Sequence, residues 1–195
     1  MSPINGTMLF GLGIIAGFFV WAIRIYGRVT RHVAPMLERP RMSWNAWRGS
    51  LLVDGIWNGL PIRIESAYGK PPRLSVTLRI VTRLPGLEAH VSRSGKIEFR
   101  SFRRDRLGMR TLARVVQDEL SMSGPPVRVA IAEYFTPARR DALRVLLLAL
   151  GWKHFMRRPE GIEVSRYGPA PVHWTAVEAR DKVQKTLVEL QKMGG

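Results

Sequence analysis

Cysteine is absent from the 195 residues, which excludes a disulfide framework, a thiolate metal site and a cysteine nucleophile. Acidic residues are scarce: 15 Asp and Glu stand against 31 Lys and Arg, a formal net charge of +16. Such a balance favours anionic partners, whether phospholipid headgroups, nucleic acid or acidic protein faces. Histidine is sparse too, and His32, His90, His154 and His173 form neither an i, i+4 pair nor an H-E-x-x-H motif. No G-x-S-x-G elbow, Walker loop, kinase signature, fixed-period repeat or low-complexity tract is present. Glu160 and Glu163 lie near Arg166 but lack the Asp and Lys of a nuclease-like scheme, and Asp118 and Glu119 read as solvated surface. The residues therefore point to a non-enzymatic protein with no cofactor and no metal.

Charge is also missing from residues 1–23, and residues 8–23 are apolar without a break. That run makes roughly 24 Å of helix at about 1.5 Å per residue, against a hydrocarbon core of about 30 Å. Asn5, Gly6 and Thr7 suit one headgroup layer, while Trp21, Arg24 and Tyr26 suit the other. The expectation is a transmembrane helix over residues 8–26, preceded by a short non-cytoplasmic N-terminus (1–7). A cleaved signal peptide carries its bases before the apolar core and a small-residue site after it, the reverse of what is seen. Arg24, Arg28, Arg31, Arg39, Arg41 and Arg48 all follow the span. By the positive-inside rule the remainder faces the cytoplasm, which places the chain in a bacterial cytoplasmic membrane. Gly13 and Gly17 have the small-xxx-small spacing of closely packed membrane helices. With Phe18, Phe19 and Trp21 they are the expected contacts to neighbouring membrane helices.

Residues 27–50 read as a basic juxtamembrane connector in which Pro35 and Pro40 interrupt any long helix. Arg24, Arg28, Arg31, Arg39, Arg41, Trp44 and Trp47 are its expected headgroup or partner contacts. Beyond it an α+β cytoplasmic domain is expected over 51–172. The stretch 51–57, then Asn58-Gly59, then 60–68 reads as a β-hairpin, because both turn residues tolerate positive φ. Alternation at Leu74, Val76, Leu78 and Ile80 predicts another strand, and 87–93 turns at Ser94-Gly95 into 96–102. A helix is predicted from Asp105 to Leu120, a strand over 127–134, and a helix begun by Thr136-Pro137 and stopped at Gly151. A hairpin about Pro159-Glu160-Gly161 follows, and residues 173–195 contain a final amphipathic helix. The fold class is thus α+β: one N-terminal transmembrane helix, then a domain with an antiparallel β-sheet and about three helices.

Basic residues crowd the stretch 93–114, and Arg100, Arg103, Arg104 and Arg106 are the expected contacts to a membrane surface or partner. Phe99 and Phe102 interleave with them, as stacking residues would in a nucleic-acid binder. Lipid or protein contact ranks above nucleic acid, because a tethered domain always lies beside a membrane. In layout alone the chain resembles the H subunit of purple-bacterial photosynthetic reaction centres, with its outside N-terminus, single span and strand-rich cytoplasmic domain. No functional residue is carried over from that resemblance. It implies an accessory or assembly subunit of an energy-transducing membrane complex, photosynthetic or respiratory. Its partners would be other integral membrane subunits and anionic lipid headgroups. The alternative is a membrane-tethered regulatory module that binds nucleic acid or anionic lipid.

Overall fold

Asn58 and Gly59 both adopt positive φ, 49° and 76°, the geometry of the tight turn that matches strand twist. They fold β2 (Ser50–Trp57) onto β3 (Leu60–Ala67), with Val53 opposite Ile64 and Gly55 opposite Ile62. The protein is seen here as a computed structural model. It describes residues 10–11, 13–14, 17, 20–21, 24, 27–45, 49–67, 71–81, 86–92, 95–105, 108–116, 134–168 and 173–194.

β1 (Glu38–Asn45) pairs with the other side of β2, and β4 (Arg73–Leu78) with β3. The chain then lays down β5 (Gly86–Val91), β6 (Ile97–Asp105) and β7 (Gly108–Val116). It closes the gap with β8 (His154–Arg158) and β9 (Gly161–Tyr167). The described residues form one antiparallel sheet of nine strands, ordered β1-β2-β3-β4-β9-β8-β5-β6-β7. The late hairpin β8–β9 therefore joins two earlier sheets' worth of strands into one.

Three helices among the described residues cover one face. They are α1 (Arg28–Val33, followed by a 3-10 turn Ala34–Met36), α2 (Pro137–Arg144, continued by a π-helical turn Val145–Ala149) and α3 (Ala176–Gly194). Thr136 caps α2 by accepting from the Arg139 backbone N–H, with Pro137 in the first turn. Thr175 and Glu178 form a reciprocal capping box at α3: the Glu178 N–H donates to Thr175 Oγ1 (3.2 Å) and the Thr175 N–H to Glu178 Oε2 (2.8 Å). The stripe Ala179, Val183, Leu187, Leu190 and Met193 is buried, and α3 packs on β4, β9, α1 and α2. Below it lie Ile62, Ile64, Val76, Leu78, Ile162 and Val164 from the sheet. Burying each such side chain contributes about 1.5–3 kcal/mol, so sheet and helices hold only together. The buried Trp152 indole donates to Thr186 Oγ1 (2.8 Å), and the Tyr134 hydroxyl to the Met193 carbonyl (2.9 Å), fastening α3 at two points.

Several expectations are corrected. Among the described residues no helix is long and apolar enough to cross a membrane. That overturns the predicted N-terminal transmembrane helix, the fold class built on it, and the single-pass placement in a bacterial cytoplasmic membrane. The described residues of the apolar run, Phe10, Gly11, Gly13, Ile14, Gly17, Val20 and Trp21, are helical, as is Arg24 after it. The run was about 6 Å short of a hydrocarbon core, and interior glycines weaken a helix by roughly 1 kcal/mol each. The longest helix among the described residues, α3, carries Glu178, Arg180, Asp181, Lys182, Lys185, Glu189 and Lys192.

The stretch expected as a connector contributes α1 and β1 instead. The helix expected from Asp105 is a strand, β7, at least to Val116. Its apolar residues fit a helical stripe, but pairing with β6 satisfies the backbone, and Thr111, Val115 and Val116 suit a pleated surface. The strand expected over 127–134 lies outside the described residues except for Tyr134, which is helical.

Candidate functional site

The two ends of the sheet differ from its middle. On the face away from the helices, opposite charges stand on neighbouring strands. Arg63 donates to both Asp54 oxygens (2.9 Å each), and Arg79 reaches the same carboxylate at 3.4 Å. Arg73 pairs with Glu163 and lies over the Tyr167 ring. His90 faces Glu98 (3.6 Å), His154 faces Glu88 (3.7 Å), and the two imidazoles stack with centroids 6.1 Å apart. Far apart in sequence, these histidines become neighbours because β8 pairs with β5, His90 opposite His154. The face is a compensated ladder of cross-strand pairs, each worth roughly 0.2–1 kcal/mol.

A shallow groove of about 280 Å³ lies between the π-helical turn and α3, lined by Leu150, Trp174, Glu178, Asp181, Lys182 and Lys185. Lys182 Nζ sits 4.8 Å from the Trp174 ring centroid and the Arg166 guanidinium 5.7 Å from it. Burial, and then Arg166, lower the Lys182 pKa, against the opposing pull of Glu178. Both carboxylates have structural work: Glu178 caps α3, and Asp181 pairs with Lys185 at 2.8 Å. No acid–base couple faces the groove among the described residues. Nor do the described residues gather three or more His, Asp or Glu in a metal-holding group.

The edge strand β1 is different. No strand pairs with its outer side among the described residues, so it presents backbone N–H and C=O groups outward. Its first half carries devices that blunt an edge: Pro40, the exposed Arg39 and Arg41, and a bulge between Glu38 and Arg41. Arg39 itself has φ 51°. After the bulge the register is regular, with Met42 opposite Val53 and Trp44 opposite Leu51. These two side chains continue the apolar face of the sheet beyond the helices. Met42 is 47% exposed and Trp44 37%.

A basic cluster adjoins this edge. Arg28 and Arg31 are exposed on α1, and Arg180 of α3 donates to the His32 carbonyl (2.9 Å). The Arg28 guanidinium donates to His32 Nε2 (3.2 Å), a bond that only neutral imidazole accepts. Burial, then Arg28, Arg180 and Arg31, lower the His32 pKa.

The residues expected to act together are thus divided. Arg28, Arg31, Arg39, Arg41 and Trp44 lie at the β1 end. Arg100, Arg103 and Arg104 lie on β6, seven strands along the sheet, about 33 Å away at about 4.8 Å per strand. Gly13, Gly17, Trp21 and Arg24 are described as exposed helical residues. Phe18, Phe19, Trp47 and Arg106 lie outside the described residues. Met42 was missed, although its spacing of two from Trp44 is a strand signal; Arg180 carries no signal linking it to α1.

No protein-family model matches this chain, and no curated protein or solved structure matches it either. The layout resemblance to reaction-centre H subunits therefore gains no support. Nor do the comparisons supply any support for the expected role as an accessory subunit of a photosynthetic or respiratory complex.

Proposed function

We propose that this chain is a non-catalytic binding module that takes an acidic partner protein onto the edge strand β1. The observation that carries the reading is the contrast within β1: basic residues and a bulge guard its first half, while residues 42–44 offer regular backbone beside exposed Met42 and Trp44. A partner strand added there would gain main-chain hydrogen bonds, each worth about 0.5–1.5 kcal/mol net. Met42 and Trp44 would anchor it, aromatic and Met side chains being enriched in interface centres. Arg39, Arg41, Arg28 and Arg31 would select an acidic segment and speed its approach. The net charge of +16 agrees with a partner of that sign.

A photo-crosslinking residue placed at Ser43 of the full-length chain tests this. Irradiation should yield one stoichiometric adduct with a protein carrying an acidic segment. M42A/W44A should reduce the adduct at least tenfold, about 1.4 kcal/mol of lost binding. R39Q/R41Q should remove most of the salt sensitivity. Recovery of the chain only as an unmodified monomer would refute the proposal.

A further inference from the structure

β9 sends Ile162 and Val164 to the helix-covered face of the sheet, where both are buried. The next residue in that alternation is Arg166, opposite the buried Leu74 of β4. A half-buried guanidinium thus takes the place of a core side chain at the end of the sheet. It lies beside the stop of the π-helical turn: a Cβ added at Gly151 would meet Arg166 Nη1 at 3.7 Å. The acid of β9, Glu163, alternates to the other face and pairs with Arg73. Among the described residues Arg166 makes no ion pair, and burial lowers its pKa with no acid opposing. Trp174 joins this cation to a second, the half-buried Lys182, since both stand against the same indole. Lys182 makes no ion pair among the described residues either. Glu178 opposes the fall in its pKa less than burial and Arg166 drive it. Lys185 differs, being held by Asp181 at 2.8 Å.

Two half-buried cations at one indole, neither neutralised in an ion pair, cost desolvation and mutual repulsion. An anion bound between them reverses both. The chemistry narrows that anion. A dianion matches two cations, where a carboxylate supplies a single charge. A guanidinium fork takes two phosphate oxygens, and lysine meets a third as a point charge. Size narrows it further: about 280 Å³ is at the lower end for a small-molecule site. Ala149, Leu150 and Trp174 give the groove an apolar wall beside Lys182. We propose that the groove between the π-helical turn and α3 binds a small organic phosphate. Its phosphoryl oxygens meet Lys182 and Arg166, and its organic part lies against Leu150 and Trp174. The groove shares no residue with β1, so this proposal and the reading of β1 fail separately.

The test is isothermal titration calorimetry of the full-length chain with phenyl phosphate, inorganic phosphate and benzoate at constant ionic strength. Phenyl phosphate should saturate one site with a Kd of about 1 mM or below. Inorganic phosphate, with no ring to lay on the apolar wall, should bind about tenfold more weakly, and benzoate, with one charge, more weakly than phenyl phosphate by at least about tenfold. R166Q and K182Q should each weaken phenyl phosphate by about tenfold or more, the loss of one charge-assisted hydrogen bond. Lys182 lines the groove outside the core, so K182Q keeps the test open if R166Q folds poorly; circular dichroism reads the fold of both. K185Q removes a lysine already held by Asp181, and R39Q/R41Q removes charge at a distant edge; neither should change the affinity. The second proton of a phosphate monoester has a pKa of about 6, so affinity should fall about tenfold from pH 7 to pH 5. The proposal is overturned by no saturable binding up to about 10 mM, by equal affinities for phenyl phosphate and inorganic phosphate, or by control variants that cost as much as R166Q and K182Q. Tighter binding of a phosphotyrosine peptide than of phenyl phosphate would put the phosphate on a partner protein and overturn it too.

Discussion

Gly55→Ala should loosen the edge strand without unfolding the sheet. A Cβ at Gly55 would stand 2.7 Å from Leu37 Cβ, 3.1 Å from Leu37 Cδ1 and 3.2 Å from the Glu38 carbonyl oxygen. Carbon–carbon contacts settle at about 3.5–4.0 Å, so Leu37 must move by roughly 1 Å. Leu37 is buried and sits at the entry to β1, and its displacement moves Glu38 and the bulge with it. Overpacking of this kind costs about 1–3 kcal/mol. The loss of glycine's freedom in the unfolded chain returns about 0.4–1 kcal/mol. The net destabilisation is about 1–2 kcal/mol, a fall in Tm of about 2–8 °C for a chain of this size. Thermal unfolding followed by circular dichroism reads the Tm, and native-state hydrogen exchange reads the β1–β2 ladder. Exchange at Ser43 and Asn45, whose amides face β2, should accelerate, while the β3–β4 ladder keeps its protection. Gly59→Ala is the matched control: φ is +76° with open space around it, so it should cost stability yet leave β1 protected. An unchanged Tm together with unchanged β1 exchange in the Gly55 variant would refute the close approach of Leu37 to β2.

Thr186→Val keeps the shape of the side chain but removes the acceptor of the buried Trp152 N–H. A buried donor without a partner costs about 1–3 kcal/mol, so T186V should lower the denaturant midpoint measurably. T186V should do little further harm in a W152F background, and additive losses in that double-mutant cycle would count against the hydrogen bond. His32 supplies a pH dependence. Its folded pKa lies below the ordinary value of about 6.5 because burial and Arg28, Arg180 and Arg31 disfavour the imidazolium. Below about pH 6.5 the unfolded chain therefore takes up a proton that the folded chain refuses, and stability falls until the folded pKa is passed. The stability difference between wild type and H32Q should shift with pH in that window and stay flat above it. A difference independent of pH from 5 to 8 would contradict the sign.

Local chemistry made a good part of this molecule readable before any tertiary contact was known. Asn58-Gly59 announces a hairpin because few residue pairs accept two positive φ values. Thr136-Pro137 and Gly151 bound a helical stretch for equally local reasons: a side-chain acceptor, a preset φ, and a left-handed stop at φ 71°. The stripe Ala179, Val183, Leu187 and Leu190 marks the buried face of α3. Where the same reasoning went astray, a local pattern carried two meanings. Residues 8–23 are apolar, but hydropathy does not measure whether a helix is long enough to span. Leu107, Leu112, Val115 and Val116 satisfy a helical period, yet β6 is close at hand with a ladder to offer.

Tertiary structure alone decided which pieces became neighbours. Turn and cap signals act over a few residues and leave the order of strands open, since many antiparallel arrangements satisfy the same hydrogen bonds. The insertion of β9 and β8 between β4 and β5 brings His154 to His90 and seals the two halves of the sheet. That order also sends the basic residues to opposite ends, β1 at one edge and the arginine-rich strands β6 and β7 at the other. Composition determined that the chain is strongly cationic. Only the strand order divided that charge between the two ends of the sheet, because burial of apolar faces, not charge, chooses which strands lie side by side.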